Sequence, residues 1–163
     1  MTGRQSASSQ FEFLLVVAII SLLSLVALNR LQEIQELSEM TVVDATLRNI
    51  SSGLRYAMAE YIIHGEERRI AELVGSNPVR WLEHPPAGYL GEYAAAPERL
   101  ARGAWFFDAT RRELCYRPIL DEHLVIASGG QLLCWRIESS GNPRVMDRVG
   151  AVRVVAEPDY RWF

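Results

Sequence analysis

The chain has 163 residues, a net charge of −3 at neutral pH and a pI near 5.7. That length suits a single domain, and the acidic balance argues against a nucleic-acid partner, because phosphate binding needs a cationic face. Apolar residues make up 49% of the chain and crowd into Phe11–Leu28, which leaves roughly 100 residues after His64 for one compact core. Every cation is an arginine, which compositional bias explains, and no internal repeat or low-complexity segment occurs.

Phe11 to Leu28 holds a single charge, at Glu12. A run of that length is enough to cross a hydrocarbon core of roughly 30 Å as a helix. Arg4 precedes it and Arg30 follows it; the cation on the leading flank places the N-terminus in the cytoplasm. A carboxylate at the start of such a segment is costly at depth, so Glu12 reads either as a functional group or as an interfacial residue that favours the positive end of the helix.

Beyond Arg30 the pattern becomes amphipathic. Leu31, Ile34, Leu37, Val43, Leu47, Ile50, Leu54, Ala57, Met58 and Tyr61 recur at helical spacing, with Glu33, Glu36, Glu39, Arg48 and Arg55 on other faces. Gly53 is tolerable within a helix at a cost of about 1 kcal/mol. Gly65 suits the C-terminal cap. A helix from about Phe11 to His64 would be roughly 80 Å long. The spacing separates an apolar helix ending near residue 30 from its amphipathic continuation, 31–64, and an extracytoplasmic α+β domain, 65–163.

The run Glu12-Phe13-Leu14-Leu15-Val16-Val17-Ala18-Ile19-Ile20-Ser21-Leu22-Leu23 resembles the start of type IV pilins and pseudopilins, over about 25 residues. The family carries a short leader and a glutamate five residues into the mature chain. Aligned on Glu12, that places the cut between Ala7 and Ser8, where the family has glycine and phenylalanine, and puts Asn29 where the family has a helix-bending proline. The resemblance implies a further division of the first part of the chain into 1–7, a leader-like segment, and 8–30, a membrane and assembly helix. It implies processing by a prepilin peptidase, insertion in the inner membrane, and assembly with other pilin or pseudopilin subunits in a type IV pilus or a type II secretion fibre. It also implies that Glu12, flanked by Phe11 and Phe13, pairs with the N-terminal amine of a neighbouring subunit. The fold it implies is α+β, a long N-terminal helix packed on a small antiparallel sheet.

After Gly65, Glu66 to Val74 reads as a short helix, and Asn77-Pro78 as a cap opening another turn through Trp81-Leu82. Tyr89 to Gly103 reads as loop, with a turn of helix at Pro97 to Arg102. Trp105-Phe106-Phe107-Asp108 and Glu113-Leu114-Cys115-Tyr116-Arg117 form a hairpin about Ala109 to Arg112. The W-x-F-D…L-x-Y-R pattern is similar to one in minor pilin-like proteins, including those of mannose-sensitive haemagglutinin pili. His123 to Ser128 and Gln131 to Glu138 flank Gly129-Gly130, a two-residue hairpin signal. Ser139 to Pro143 is a turn and Val149 to Ala156 a last strand, with the Tyr160-Arg161-Trp162-Phe163 tail packed on the sheet.

Cys115 and Cys134 lack metal-site spacing. In a simple meander they lie two strand spacings apart, roughly 9 to 10 Å, beyond the reach of a disulfide. A bond between them requires their strands to be neighbours; otherwise both are buried thiols.

No catalytic motif occurs, so the chain reads as a non-enzyme without a cofactor or metal. Asp121-Glu122-His123 reads as a solvated loop, Asp108 as a turn cap, Trp81, Trp105, Trp135 and Trp162 as core, and Asn49-Ile50-Ser51 as a chance glycosylation triplet within a helix. The leading expectation is a minor pilin or pseudopilin. Its alternatives are a signal-anchored periplasmic binding or sensory protein that never joins a fibre, and a secreted domain behind a signal peptide.

Overall fold

A computed structural model describes residues 5–140 and 151–163, with side chains from Gln10 onward. Contacts divide the chain into two compact units, Met1–Ser38 and Glu39–Phe163. Helix α1, Gln5–Ile63, contributes to both.

In the first unit α1 is a single helix whose apolar residues from Phe11 to Leu28 are exposed. Two of its polar side chains bond within the helix. Ser21 Oγ donates to the Val17 carbonyl at 2.8 Å, and Arg30 pairs with Glu33 at 2.8 Å one turn on.

The second unit is an α+β domain. Val43, Ile50, Leu54 and Ala57 are buried along α1, with Leu47 and Tyr61 completing a stripe at alternating steps of four and three. That period keeps one face of the helix against the sheet. The helix ends in a Schellman motif: Gly65, at φ +71°, donates to the Ile62 carbonyl, and Glu66 N–H donates to the Tyr61 carbonyl at 2.8 Å.

The short helix expected at Glu66 to Val74 forms over Glu67–Leu73 with 3₁₀ geometry. Ile70 and Leu73, three residues apart, are both buried, a spacing that 3₁₀ geometry places on one edge. Pro78–Trp81 forms a second 3₁₀ turn, and Asn77 Oδ1 accepts from Val79 N–H at 3.0 Å, the cap that Asn77-Pro78 signals.

Seven strands follow: β1 (Tyr89–Tyr93), β2 (Trp105–Asp108), β3 (Glu113–Tyr116), β4 (Leu124–Ile126), β5 (Leu133–Ser139), β6 (Val152–Ala156) and β7 (Tyr160–Trp162). A five-stranded sheet runs β1-β2-β3-β5-β6, and β4 pairs with β7 in a separate ribbon. The β2–β3 hairpin is as expected, with Trp105 opposite Tyr116. Asp108 Oδ1 caps its turn by accepting from Thr110 and Arg111 N–H, both at 2.9 Å.

Three expectations are corrected. Tyr89–Tyr93, read as loop, is a strand parallel to β2, so the sheet is mixed rather than wholly antiparallel. No helix forms at Pro97 to Arg102; the chain there bends and turns, and Leu100 is buried against Phe106 and the two cysteines. Gly129-Gly130 does not join β4 to β5. Both edges of β5 are taken, by β3 and β6, so β4 pairs with β7 through Val125 opposite Arg161. Of the expected last strand, Val149 lies outside the described residues, as does Pro143 of the turn before it.

Alternation divides the sheet's two faces. Trp105, Phe107, Leu114, Tyr116, Leu133, Trp135 and Ile137 join the main core with α1, whereas Phe106, Cys115 and Cys134 pack with Leu100 and Ala104. The Trp105 ring lies 4.5 Å from Tyr116 and 5.7 Å from Trp135, which in turn meets the edge of Tyr160 at 5.8 Å. Trp105, Trp135 and Trp162 are buried and Trp81 packs against the same core, as expected. The C-terminal tail reaches this core as β7, where Trp162 is buried.

Candidate functional site

The first candidate is the N-terminal half of α1. It is one helix long and apolar enough to cross a membrane. Phe11 and Phe13 are each 68% exposed, and Glu12 between them is exposed on the same helix. Ala7 and Ser8 fall inside α1, and the described side chains begin beyond them at Gln10. The structure therefore places Phe11, Glu12 and Phe13 as consecutive projections around an unpartnered helix. In lipid or in a bundle of such helices, the Glu12 carboxylate is the one group of the run that demands a counter-charge.

The second is a carboxylate clamp within the α+β domain that the sequence does not advertise. Glu39 Oε1 accepts from the Tyr116 hydroxyl at 2.7 Å and from Ile119 N–H at 2.6 Å, and Oε2 accepts from Leu120 N–H at 3.0 Å. One side chain on α1 thus holds the end of β3 and the loop after it. Burial and the Glu39 carboxylate raise the Tyr116 hydroxyl well above the ordinary tyrosine range, so it remains a donor.

A third polar cluster links the 3₁₀ turns to β1. The buried Asn77 amide donates to the Tyr89 hydroxyl at 2.8 Å and to Glu92 Oε1 at 2.9 Å, and Arg80 pairs with the same oxygen at 2.9 Å. The Asn77 and Arg80 hydrogen bonds hold the Glu92 carboxyl below its ordinary range. Burial raises the Tyr89 hydroxyl. The cluster is satisfied within itself, which suits a structural role.

Cys115 and Cys134 are bonded. They sit directly opposite each other on β3 and β5, which are neighbours because β4 leaves the sheet. The simple-meander spacing does not apply. The ligand atoms of Glu113 and these two cysteines lie within 4.8 Å of one another, but both sulfurs are taken by the disulfide.

Asp121, Glu122 and His123 are exposed; Asp121 lies 3.5 Å from Arg102, and His123 stacks on Phe163 at 4.7 Å. Arg111 and Arg136 line a shallow cleft with Arg112 beside Gly75. Arg111 is paired with Glu113 at 3.3 Å, and Arg136 with Glu138 and Glu157, so most of that positive charge is neutralised in place. Ser51, in the Asn49-Ile50-Ser51 triplet, donates to the Leu47 carbonyl at 2.8 Å within the helix.

The fold and its polar clusters define a class, an α+β domain carried on a helix of membrane-spanning length. No family model, curated protein or solved structure matches the chain.

Proposed function

We propose that the chain is a minor pilin or pseudopilin. It is a non-catalytic structural subunit, held in the inner membrane by the first half of α1 with its N-terminus in the cytoplasm. Its α+β domain lies in the periplasm or in an extracellular fibre, and its partners are other pilin-type subunits of a type IV pilus or a type II secretion fibre. A prepilin peptidase cuts it between Ala7 and Ser8.

The observation that carries this reading is Glu12, a lone carboxylate between two exposed phenylalanines in a helix that runs without a break into the folded domain. A carboxylate within the apolar run is costly at depth unless it is paired. In a fibre, the freed amine of a neighbouring subunit supplies its counter-ion, and the pairing sets one helix in register against the next.

The test is the N-terminus of protein purified from membranes, read by intact mass and peptide sequencing. A chain starting at Ser8, with its amine methylated, is the expected result. A chain starting at Met1 or Thr2 would overturn processing and point to a signal-anchored periplasmic binding or sensory protein. Glu12→Ala should be lost from fibres, and incorporation at wild-type levels would remove the proposed role of the carboxylate.

A further inference from the structure

The face of α1 turned away from the sheet carries its own pattern. Val42, Asn49, Tyr56 and Ile63 follow one another seven residues apart, and Ala45, Ser52 and Ala59 fall between them at the same period. All are exposed and none is charged. Val42 is 64%, Tyr56 75% and Ile63 81% exposed, although the opposite stripe of the same helix is buried. Steps of three and four sustained over three heptads define a coiled-coil seam, here with the larger side chains at one seam position and small ones at the other.

The flanks identify what covers it. Arg48 and Arg55 border one side of the seam and Glu60 the other, where the chain's own Pro78–Trp81 turn already covers Gly53. Arg55 and Glu60 are five residues apart, about 140° around the helix, so they do not meet within one chain. Five residues is the offset at which one flank of a helix reaches the opposite flank of a parallel partner. In that arrangement Arg55 of each copy meets Glu60 of the other. An antiparallel pair would instead bring the two arginine flanks together.

We propose that this face is a homotypic interface, against which a second copy of the chain docks in parallel through residues 42–63. Asn49 faces its own counterpart and fixes the register, as a polar residue at this seam position does. Ala45, Ser52 and Ala59 let the backbones approach. The seam is short, and a shared membrane anchor raises the effective concentration that makes it close. That last step rests on the membrane reading above; the charge pattern does not.

The test uses the full-length protein in its own membrane. Ser52→Cys, mildly oxidised and run without reductant, should give a covalent dimer of the chain itself, whereas Arg68→Cys, exposed but off the seam, should not. Arg55→Glu should lower the dimer yield about fivefold, as expected for replacing two exposed pairs with like charges. The swap of Arg55→Glu with Glu60→Arg should restore it. Equal cross-linking at positions 52 and 68, a cross-link to a different protein, or a swap that fails to rescue would overturn the interface. Alkaline carbonate extraction reports separately on the anchor. A chain that resists extraction yet gives no dimer at position 52 overturns the interface alone, and a chain that is extracted but still dimerises overturns the anchor alone.

Discussion

The Tyr116 hydroxyl on β3 donates to Glu39 Oε1 on α1 at 2.7 Å, across 77 residues of sequence. The same carboxylate accepts from the N–H groups of Ile119 and Leu120, so one side chain serves three donors. Charge-assisted hydrogen bonds are worth about 1.5–3 kcal/mol, and leaving the buried Tyr116 hydroxyl without a partner adds to the loss.

Glu39→Ala should therefore destabilise the domain by about 3 kcal/mol. Tyr116→Phe, which removes one bond and leaves the carboxylate its two backbone donors, should cost about 1 kcal/mol. Urea unfolding followed by tryptophan fluorescence would measure both, since the Trp105 ring lies 4.5 Å from Tyr116 and reports the same region. Equal losses for the two variants would show that the backbone bonds contribute nothing.

Gly53 answers a question that its sequence position leaves open. By propensity it weakens the helix, and Gly53→Ala would be expected to stabilise it by about 1 kcal/mol. In the structure an added Cβ would lie 2.0 Å from the Trp81 carbonyl oxygen and 3.0 Å from its carbon. The 3₁₀ turn of Pro78–Trp81 packs directly on the helix backbone there, and a methyl group would push it away. Gly53→Ala should thus be destabilising by about 2 kcal/mol, the range of core overpacking. A rise in thermal midpoint for the variant would show that the turn moves aside freely.

Two carboxylates with opposite shifts give a paired pH test. Glu92 is held below its ordinary range, first by Asn77 and then by Arg80. Its stabilising contribution is present above its unfolded value and is lost as pH falls through the folded one. Glu113 is raised by burial; it is only 4% exposed, and Arg111 Nε at 3.3 Å lacks the alignment of a hydrogen bond to its Oε2. Its contribution has the reverse sign, present below the unfolded value and lost as pH rises through the folded one. Glu113→Gln should raise the unfolding midpoint at neutral pH and converge on wild type in acid. Glu92→Gln should lower it at neutral pH and also converge in acid. Parallel melting curves across the carboxylate range would contradict both assignments.

What the residues disclose in order, and what they do not, follows from the range of the interactions. The helix, its Gly65 cap, the Asn77-Pro78 turn, the Asp108 turn and the β2–β3 hairpin depend on groups within a few positions of one another, so their spacing is visible in the chain. Strand pairing between distant segments is not. Gly129-Gly130 is a good local hairpin signal, yet the competition for β5 is decided by β3 and β6. In β1, Gly91 at φ +113° interrupts the alternation by which a strand is recognised. Glu39 looks like Glu33 and the other acids of α1, and only the arrival of Tyr116 and the loop after it makes it different. Glu12 stands out for the opposite reason, because a charge in an apolar run needs no tertiary context to be conspicuous.

The disulfide closes the argument on the strand order. Cys115 and Cys134 are separated by 19 residues, and β4 and the loops around it fill the interval between them. Cross-linking a loop of that length removes conformational freedom from the unfolded chain, worth about 3 kcal/mol in the chain-entropy account. Both sulfurs are buried with Phe106, Leu100 and Ala104, on the face of the sheet away from α1. Replacing both cysteines with alanine should lower stability by about 3 kcal/mol while leaving the packing of α1 on the other face intact. Intact mass under non-reducing conditions should show the wild-type chain lighter by two hydrogens than its reduced form, with no thiol open to alkylation before reduction. Alkylation of both cysteines in the folded, unreduced protein would show that the disulfide is not formed and would remove its contribution to stability.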